Sequence, residues 1–102
     1  ETSSKLVVGS LGIDRDTRSV MRNGRRIELT KTEFNLLELL AEQAGLVVTR
    51  EYIYDNVWGF NFETNSKSLD VYIGYLRRKT EENNESRMVF TVRGVGYTVR
   101  EQ

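Results

Sequence analysis

With 102 residues, 38% of them apolar and 10% aromatic, the chain has the size of one domain built on one modest core. It has no cysteine and no histidine, which excludes disulfides, thiolate chemistry, Ser–His and Cys–His catalysis and the common zinc sites. No stretch approaches the roughly 20 apolar residues of a membrane span, and the 15 basic and 15 acidic residues cancel, so overall charge announces no partner.

These exclusions point to a soluble, cytoplasmic protein away from the membrane, with no cofactor and no metal. An enzyme would have to work with carboxylates, Lys, Tyr and Ser, and no constellation of them stands out, so the chain is expected not to be one.

Residues 1–5, ETSSK, are small and polar and are expected to be a linker remnant ahead of a single domain over 6–102. Four short extended runs follow: Leu6-Val7-Val8, Leu11 to Asp14, Ser19 to Arg22 and Arg26 to Leu29. Gly9-Ser10, Asp16-Thr17 and Asn23-Gly24 separate them. Asn-Gly between two such runs is a strong hairpin signal, because a type I′ turn needs positive φ at both central residues. A four-stranded antiparallel meander is predicted.

Thr30-Lys31-Thr32-Glu33 fits a capping box, with a hydroxyl at the cap and a carboxylate three residues on. Phe34, Leu37, Leu40 and Ala41 then recur with helical spacing, widened by Leu36, Leu39 and Ala44, so this most apolar helix is expected at the centre of the core. Its glutamates are expected on a solvated face, and Gly45 is expected to end it as the C′ residue. Val47-Val48 predicts a short strand. Thr49-Arg50-Glu51 opens a second helix with Tyr52, Ile53, Val57 and Trp58 as its apolar side, stopped by Gly59, and Phe60 to Ser66 reads as a loop.

The stretch Asn65 to Glu82, NSKSLDVYIGYLRRKTEE, carries the most information. Leu69, Ile73 and Leu76 share one helical face suited to a core. Lys67, Val71, Tyr75 and Arg78 form a second stripe, bordered by Ser68 and Tyr72, and this stripe has the groups that meet phosphates and base edges in a major groove. Residues 1–64 hold 8 Lys and Arg against 10 Asp and Glu, whereas residues 65–100 hold 7 against 4, so the basic excess lies in the half that contains this helix. Met88 to Val92 and Tyr97 to Arg100 close the chain as a hairpin, turned by Arg93-Gly94-Val95-Gly96.

Strands, helix, short strand, helix, loop, helix and β-hairpin make an α+β winged helix-turn-helix. In that geometry the second helix of the pair enters the major groove N-terminus first, and Arg93 at the ribbon tip reaches a minor groove. The chain resembles the C-terminal output domain of OmpR/PhoB-family response regulators over about Leu6 to Arg100. The resemblance rests on LTKTEFNLLELL (Leu29 to Leu40), VVTREYIYDNVWG (Val47 to Gly59), SLDVYIGYLRRK (Ser68 to Lys79) and TVRGVGY (Thr91 to Tyr97). The last two together, at this separation, are highly specific.

The resemblance implies a four-stranded N-terminal sheet, three helices and a C-terminal wing. It implies sequence-specific binding of double-stranded DNA by a two-component transcription regulator whose receiver domain is absent from this chain. Head-to-tail dimers on direct repeats are implied as well. So is a polymerase-contact loop corresponding to Trp58, Gly59, Phe60, Asn61, Phe62, Glu63, Thr64, Asn65 and Ser66, which makes RNA polymerase a second partner. Matched position by position, Lys67 and Ser68 meet phosphates or bases, Val71 packs on thymine methyl groups, Tyr72, Tyr75 and Arg78 lie on groove-facing or flanking sides, and Thr91 and Arg93 are wing contacts. Gly74-Tyr75 departs from the pattern, since several members carry larger polar or basic residues there. Glycine within a helix costs about 1 kcal/mol relative to alanine, so Gly74 serves either close approach by sugar-phosphate or relief of crowding.

Several residues have two readings. Arg77 either touches phosphate or pairs with Glu33 or another internal carboxylate. Arg78 and Lys79 also fit an ordinary solvated helix end, and Tyr72 and Tyr75 also fit half-buried packing positions. Trp58 suits a core anchor as well as a polymerase contact. Asp70 repels phosphate and is expected to order Lys67 or a neighbouring Arg, or to accept from a cytosine amino group. The alternative function is a winged-helix protein–protein interaction module without DNA binding.

Overall fold

The computed structural model describes residues 5–58, 66–82 and 86–100, with the backbone alone at 58 and 66–68. The N-terminal meander is present as β1 (Lys5–Val8), β2 (Leu11–Asp14), β3 (Ser19–Arg22) and β4 (Arg25–Ile27), paired antiparallel in that order. Lys5, expected in the linker, opens β1 opposite Asp14. Arg22 pairs with Arg25 across the two-residue turn, where Asn23 and Gly24 have φ of 53° and 81°, the positive values a type I′ turn demands. Alternation along the strands sends Leu11, Ile13, Val20 and Ile27 into the core. Arg22 shares that inner face and is 2% exposed.

Thr30 caps α1 (Lys31–Glu42) through the reciprocal box: Glu33 N–H donates to Thr30 Oγ1 at 3.3 Å, and Thr30 N–H donates to Glu33 Oε1 at 3.0 Å. Leu36, Leu37 and Leu40 are fully buried, so α1 is the central core helix. It stops earlier than predicted. Gln43 is the C-cap, and Gly45, with φ of 86°, lies two residues beyond it and donates its N–H to Val99 O at 2.9 Å. Gly45 therefore turns the chain onto the C-terminal sheet instead of closing the helix.

Val48–Thr49 forms β5, which pairs antiparallel with the C-terminal hairpin, β6 (Val89–Val92) and β7 (Gly96–Val99), in the order β5-β7-β6. Gly96, expected in the turn, belongs to β7. A Cβ there would lie 1.9 Å from Val48 O, so only glycine lets β5 approach. The turn is tighter than predicted: Val95 N–H bonds Val92 O at 3.0 Å around Arg93 and Gly94, and Gly94 has φ of 76°, the type II requirement at the third position.

Thr49 caps α2 (Arg50–Ile53), accepting from Tyr52 N–H at 3.2 Å. The helix then widens into a π-helical turn over Tyr54–Trp58. Asn56 Nδ2 donates to Tyr52 O at 2.8 Å, occupying a carbonyl that a regular α-helix would offer to the backbone. The predicted stop at Gly59 and the loop that follows lie outside the described residues. The last helix, α3, runs over Ser66–Thr80 and packs against α1 and β6. Among the described residues no helix is long and apolar enough to cross a membrane.

Candidate nucleic-acid interface

α3 divides its sides as its sequence period requires. Leu69, Ile73 and Leu76 are 0%, 1% and 0% exposed and join the core with Ile53, Met88 and Tyr97. On the opposite side Val71 is 46% exposed and Tyr75 38%, and Asp70, Gly74 and Arg78 are exposed beside them. Tyr72 is half-buried against the core and meets Tyr75 edge-on, with centroids 5.9 Å apart. The Arg78 guanidinium lies 5.5 Å from the Tyr75 ring centroid, which orients it along the surface without burying it. Lys67 and Ser68 fall in the first turn of α3, where unpaired amides and the positive dipole end favour anions.

The neighbours of Arg78 are turned inward. Arg77 is half-buried, and its Nε donates to Val89 O at 2.9 Å while Nη2 donates to the Thr91 hydroxyl. Its internal partners are thus on the wing strand β6, where the internal one of its two readings named a carboxylate such as Glu33. Burial, then the nearby Arg87, lowers its pKa from the ordinary arginine value. Lys79, for which an ordinary solvated helix end was one of two readings, donates to Glu33 Oε1 at 2.7 Å. Glu33 is itself 3% exposed, so the expected solvated face of α1 does not extend to this residue. Burial pushes its carboxyl up, but the Lys79 and Thr30 hydrogen bonds outweigh that and hold it below the ordinary value. The two other glutamates of α1, Glu38 and Glu42, pair with Arg15.

What holds the far end of α3 has no local signature in the sequence. Arg22, from β3, donates to Thr80 O at 2.8 Å, to Ser86 Oγ at 3.0 Å and to Ser10 Oγ at 3.1 Å. Arg25 donates to Lys79 O at 3.2 Å. Two guanidinium groups from the N-terminal sheet therefore satisfy the last carbonyls of α3 and oppose its negative dipole end. Near the other end, Asp70 accepts from the Tyr97 hydroxyl and from Arg50 Nη1 at 3.4 Å, and Arg50 also reaches the Tyr97 oxygen at 2.9 Å. Burial, then the Asp70 bond, pushes the Tyr97 phenol up from its ordinary value, so it remains a donor to the carboxylate. Asp70 is thus occupied by α2 and β7.

Arg93 is exposed at the tip of the β6–β7 hairpin and makes no ion pair among the described residues. Thr91 is exposed on β6, with its hydroxyl held by Arg77. The segment Gly59 to Asn65 and the side chains of Trp58, Ser66, Lys67 and Ser68 lie outside the described residues. No group of His, Cys, Asp and Glu among the described residues is placed to hold a metal.

A core-mounted helix with a mixed polar and aromatic outer stripe, beside a two-stranded wing, is the architecture of a winged helix-turn-helix output domain. The family model "Transcriptional regulatory protein, C terminal" matches residues 24–99. The response regulator MprA of Mycobacterium ulcerans is 52% identical over 99 residues, covering 97% of this chain and 43% of that protein. The DNA-binding domain of RstA from Klebsiella pneumoniae, solved in complex with the RstA box, superposes with a TM-score of 0.82 at 34% identity, covering 94% of this chain and 96% of that one. DrrB, an OmpR/PhoB homologue from Thermotoga maritima, superposes with a TM-score of 0.83 at 35% identity, covering 96% of this chain and 45% of that one. The chain belongs to the OmpR/PhoB family of response-regulator C-terminal domains. It spans less than half the length of the curated relatives it matches.

Proposed function

We propose that this chain binds double-stranded DNA sequence-specifically, as the output domain of a two-component transcription regulator, with α3 in the major groove and the β6–β7 wing at the minor groove. The observation that carries this is the split of α3. Its leucine and isoleucine side is buried to within 1%, while Val71, Tyr75 and Arg78 stand out from the surface. The RstA domain, similar in fold and sequence, is one solved on a DNA element.

Lys67 and Ser68 hold phosphate or a base edge at the start of α3. Val71 packs on thymine methyl groups, and Tyr72, Tyr75 and Arg78 line the groove and its flank. Arg77 and Thr91 set the wing against α3 and face the phosphate strand between the grooves. Arg93 enters the minor groove, where negative potential draws a guanidinium. In the whole regulator a receiver domain controls this unit, which pairs head-to-tail on direct repeats in the cytoplasm. The segment Trp58 to Ser66 meets RNA polymerase. No catalytic step is assigned to any residue.

The test is selection of bound duplexes from a random pool, followed by titration at several salt concentrations. The affinity for the selected duplex should fall with salt at about 0.9 log units per log unit for each phosphate neutralised. Arg93→Ala should weaken that binding roughly tenfold, within the range of one lost specific contact, and leave the unfolding transition where it was. An Arg93→Ala protein that binds as well as the parent removes the wing from the interface.

A protein-interaction reading has one observation in its favour. Leu46, Val47 and Tyr52 are 62%, 45% and 43% exposed, and Val47 and Tyr52 line a hollow of about 280 Å³ with Gln43, Val48 and Thr49. This reading predicts no enriched duplex and no salt-dependent binding.

A further inference from the structure

Two glycines near the interface have opposite surroundings. Gly96 is required by its own domain, because a side chain there would strike the Val48 carbonyl. Gly74 sits in the middle of α3 with no positive φ, and a Cβ built on it meets nothing within 4 Å among the described residues. Neither backbone conformation nor crowding by the described residues accounts for it, although glycine is among the poorest residues for a helix interior. It is exposed, on the same stripe as Val71 three residues before and Arg78 four residues after, with Tyr75 adjacent. Its position is thus the middle of the surface that the proposed function turns toward the groove.

An α-helix with its side chains is about 10–12 Å across, and the major groove is about 12 Å wide. The residue at the centre of the inserted face therefore sets how deep the helix can sit. We propose that Gly74 is a specificity-determining contact of α3, at which base edges on the groove floor come against bare helix backbone. This close approach brings Val71 and Tyr75 down to the bases on either side. Arg78, one turn on, reaches a phosphate at the groove's flank. The inference rests on the groove-bound reading of α3.

Gly74→Ala tests it against the duplex that the parent domain selects from a random pool and against an unrelated duplex of equal length. The substitution should raise Tm by roughly 5 °C, as expected for removing a glycine from a helix interior. It should weaken the selected duplex about tenfold, the size of one mismatched base pair. Binding to the unrelated duplex and the salt slope should stay unchanged, because no phosphate contact is lost. Unchanged affinity for the selected duplex overturns the inference, as does a lowered Tm, which would give Gly74 a role inside the fold. An equal loss on both duplexes overturns the base-edge assignment. If the parent enriches no duplex, the DNA-binding reading falls first and this inference with it.

Discussion

The inward and outward sides of α3 use the same residue types for opposite purposes. At its C-terminal end Arg22, Arg25, Arg77, Lys79 and Glu33 form a clamp in which every charged group meets a backbone carbonyl, a hydroxyl or an opposite charge inside the domain. Along its outer stripe Arg78, like Arg93 on the wing, has no ion pair among the described residues. The basic excess of residues 65–100 is thus a poor measure of what a duplex would meet. Arg77 and Lys79 are engaged internally, and Arg87 pairs with Glu81 at 3.1 Å. Asp70, which would repel phosphate, is in turn matched by Arg50 from the other half of the chain. The clamp fixes where the helix stands, and the stripe decides what it touches.

The difference is sharpest at Arg22. Replacing it with alanine leaves the Thr80 carbonyl and two serine hydroxyls without their guanidinium donor in a site that is 2% exposed. Loss of these charge-assisted bonds should destabilise the domain by about 3 kcal/mol, read from the denaturant midpoint. Arg22→Lys should recover little, since an ammonium cannot serve three directions in the plane of a guanidinium. A loss under about 1 kcal/mol would show that the clamp does not hold α3.

Arg77 and Arg78 give the next largest contrast, because they are adjacent in sequence and lie about 100° apart around the helix. Arg77→Ala should cost about 1.5 kcal/mol in unfolding free energy by detaching α3 from Val89 and Thr91. Arg78→Ala should leave stability within about 0.5 kcal/mol and lower the salt slope of duplex binding by about 0.9. The reverse assignment of effects would exchange the structural and binding roles given to these two residues.

What the sequence made legible follows from how far apart the interacting groups lie along the chain. The Asn23-Gly24 turn, the Thr30–Glu33 box, the helix start at Thr49 and the buried stripe of α3 are local, and each showed in nearby residues alone. The outward set Val71, Tyr75 and Arg78 follows from the same period. The clamp was not legible, because Arg22 and Thr80 are 58 residues apart and Arg22 reads as the polar end of a strand. Asp70 and Tyr97 are separated by 27 residues, and neither carries a local mark of the other. The early stop of α1 and the widening of α2 at Asn56 are also outside a periodic reading. At the first Gly45 bonds the distant Val99 carbonyl, and at the second one side-chain amide takes a helix carbonyl. Gly74 left two explanations open in the sequence, and among the described residues nothing crowds it.

The smallest effect is the most diagnostic of the clamp's charge. Glu33 is held below the ordinary carboxylate value, with burial opposing and the Lys79 and Thr30 hydrogen bonds prevailing. A carboxyl depressed in the folded state binds its proton more readily once unfolded, so its contribution is fully present above the ordinary value of about 4.3. It is lost as pH falls from there through the folded pKa. Glu33→Gln keeps an oxygen for the Thr30 cap but removes the charge facing Lys79, and should cost about 1 kcal/mol at pH 7. The deficit should shrink as acid is added, until parent and variant unfold alike below the folded pKa. Arg78→Ala, on the stripe, should show no such convergence. A Glu33→Gln deficit that stays constant down the acid range would mean that shape, not charge, joins α1 to α3 at this point.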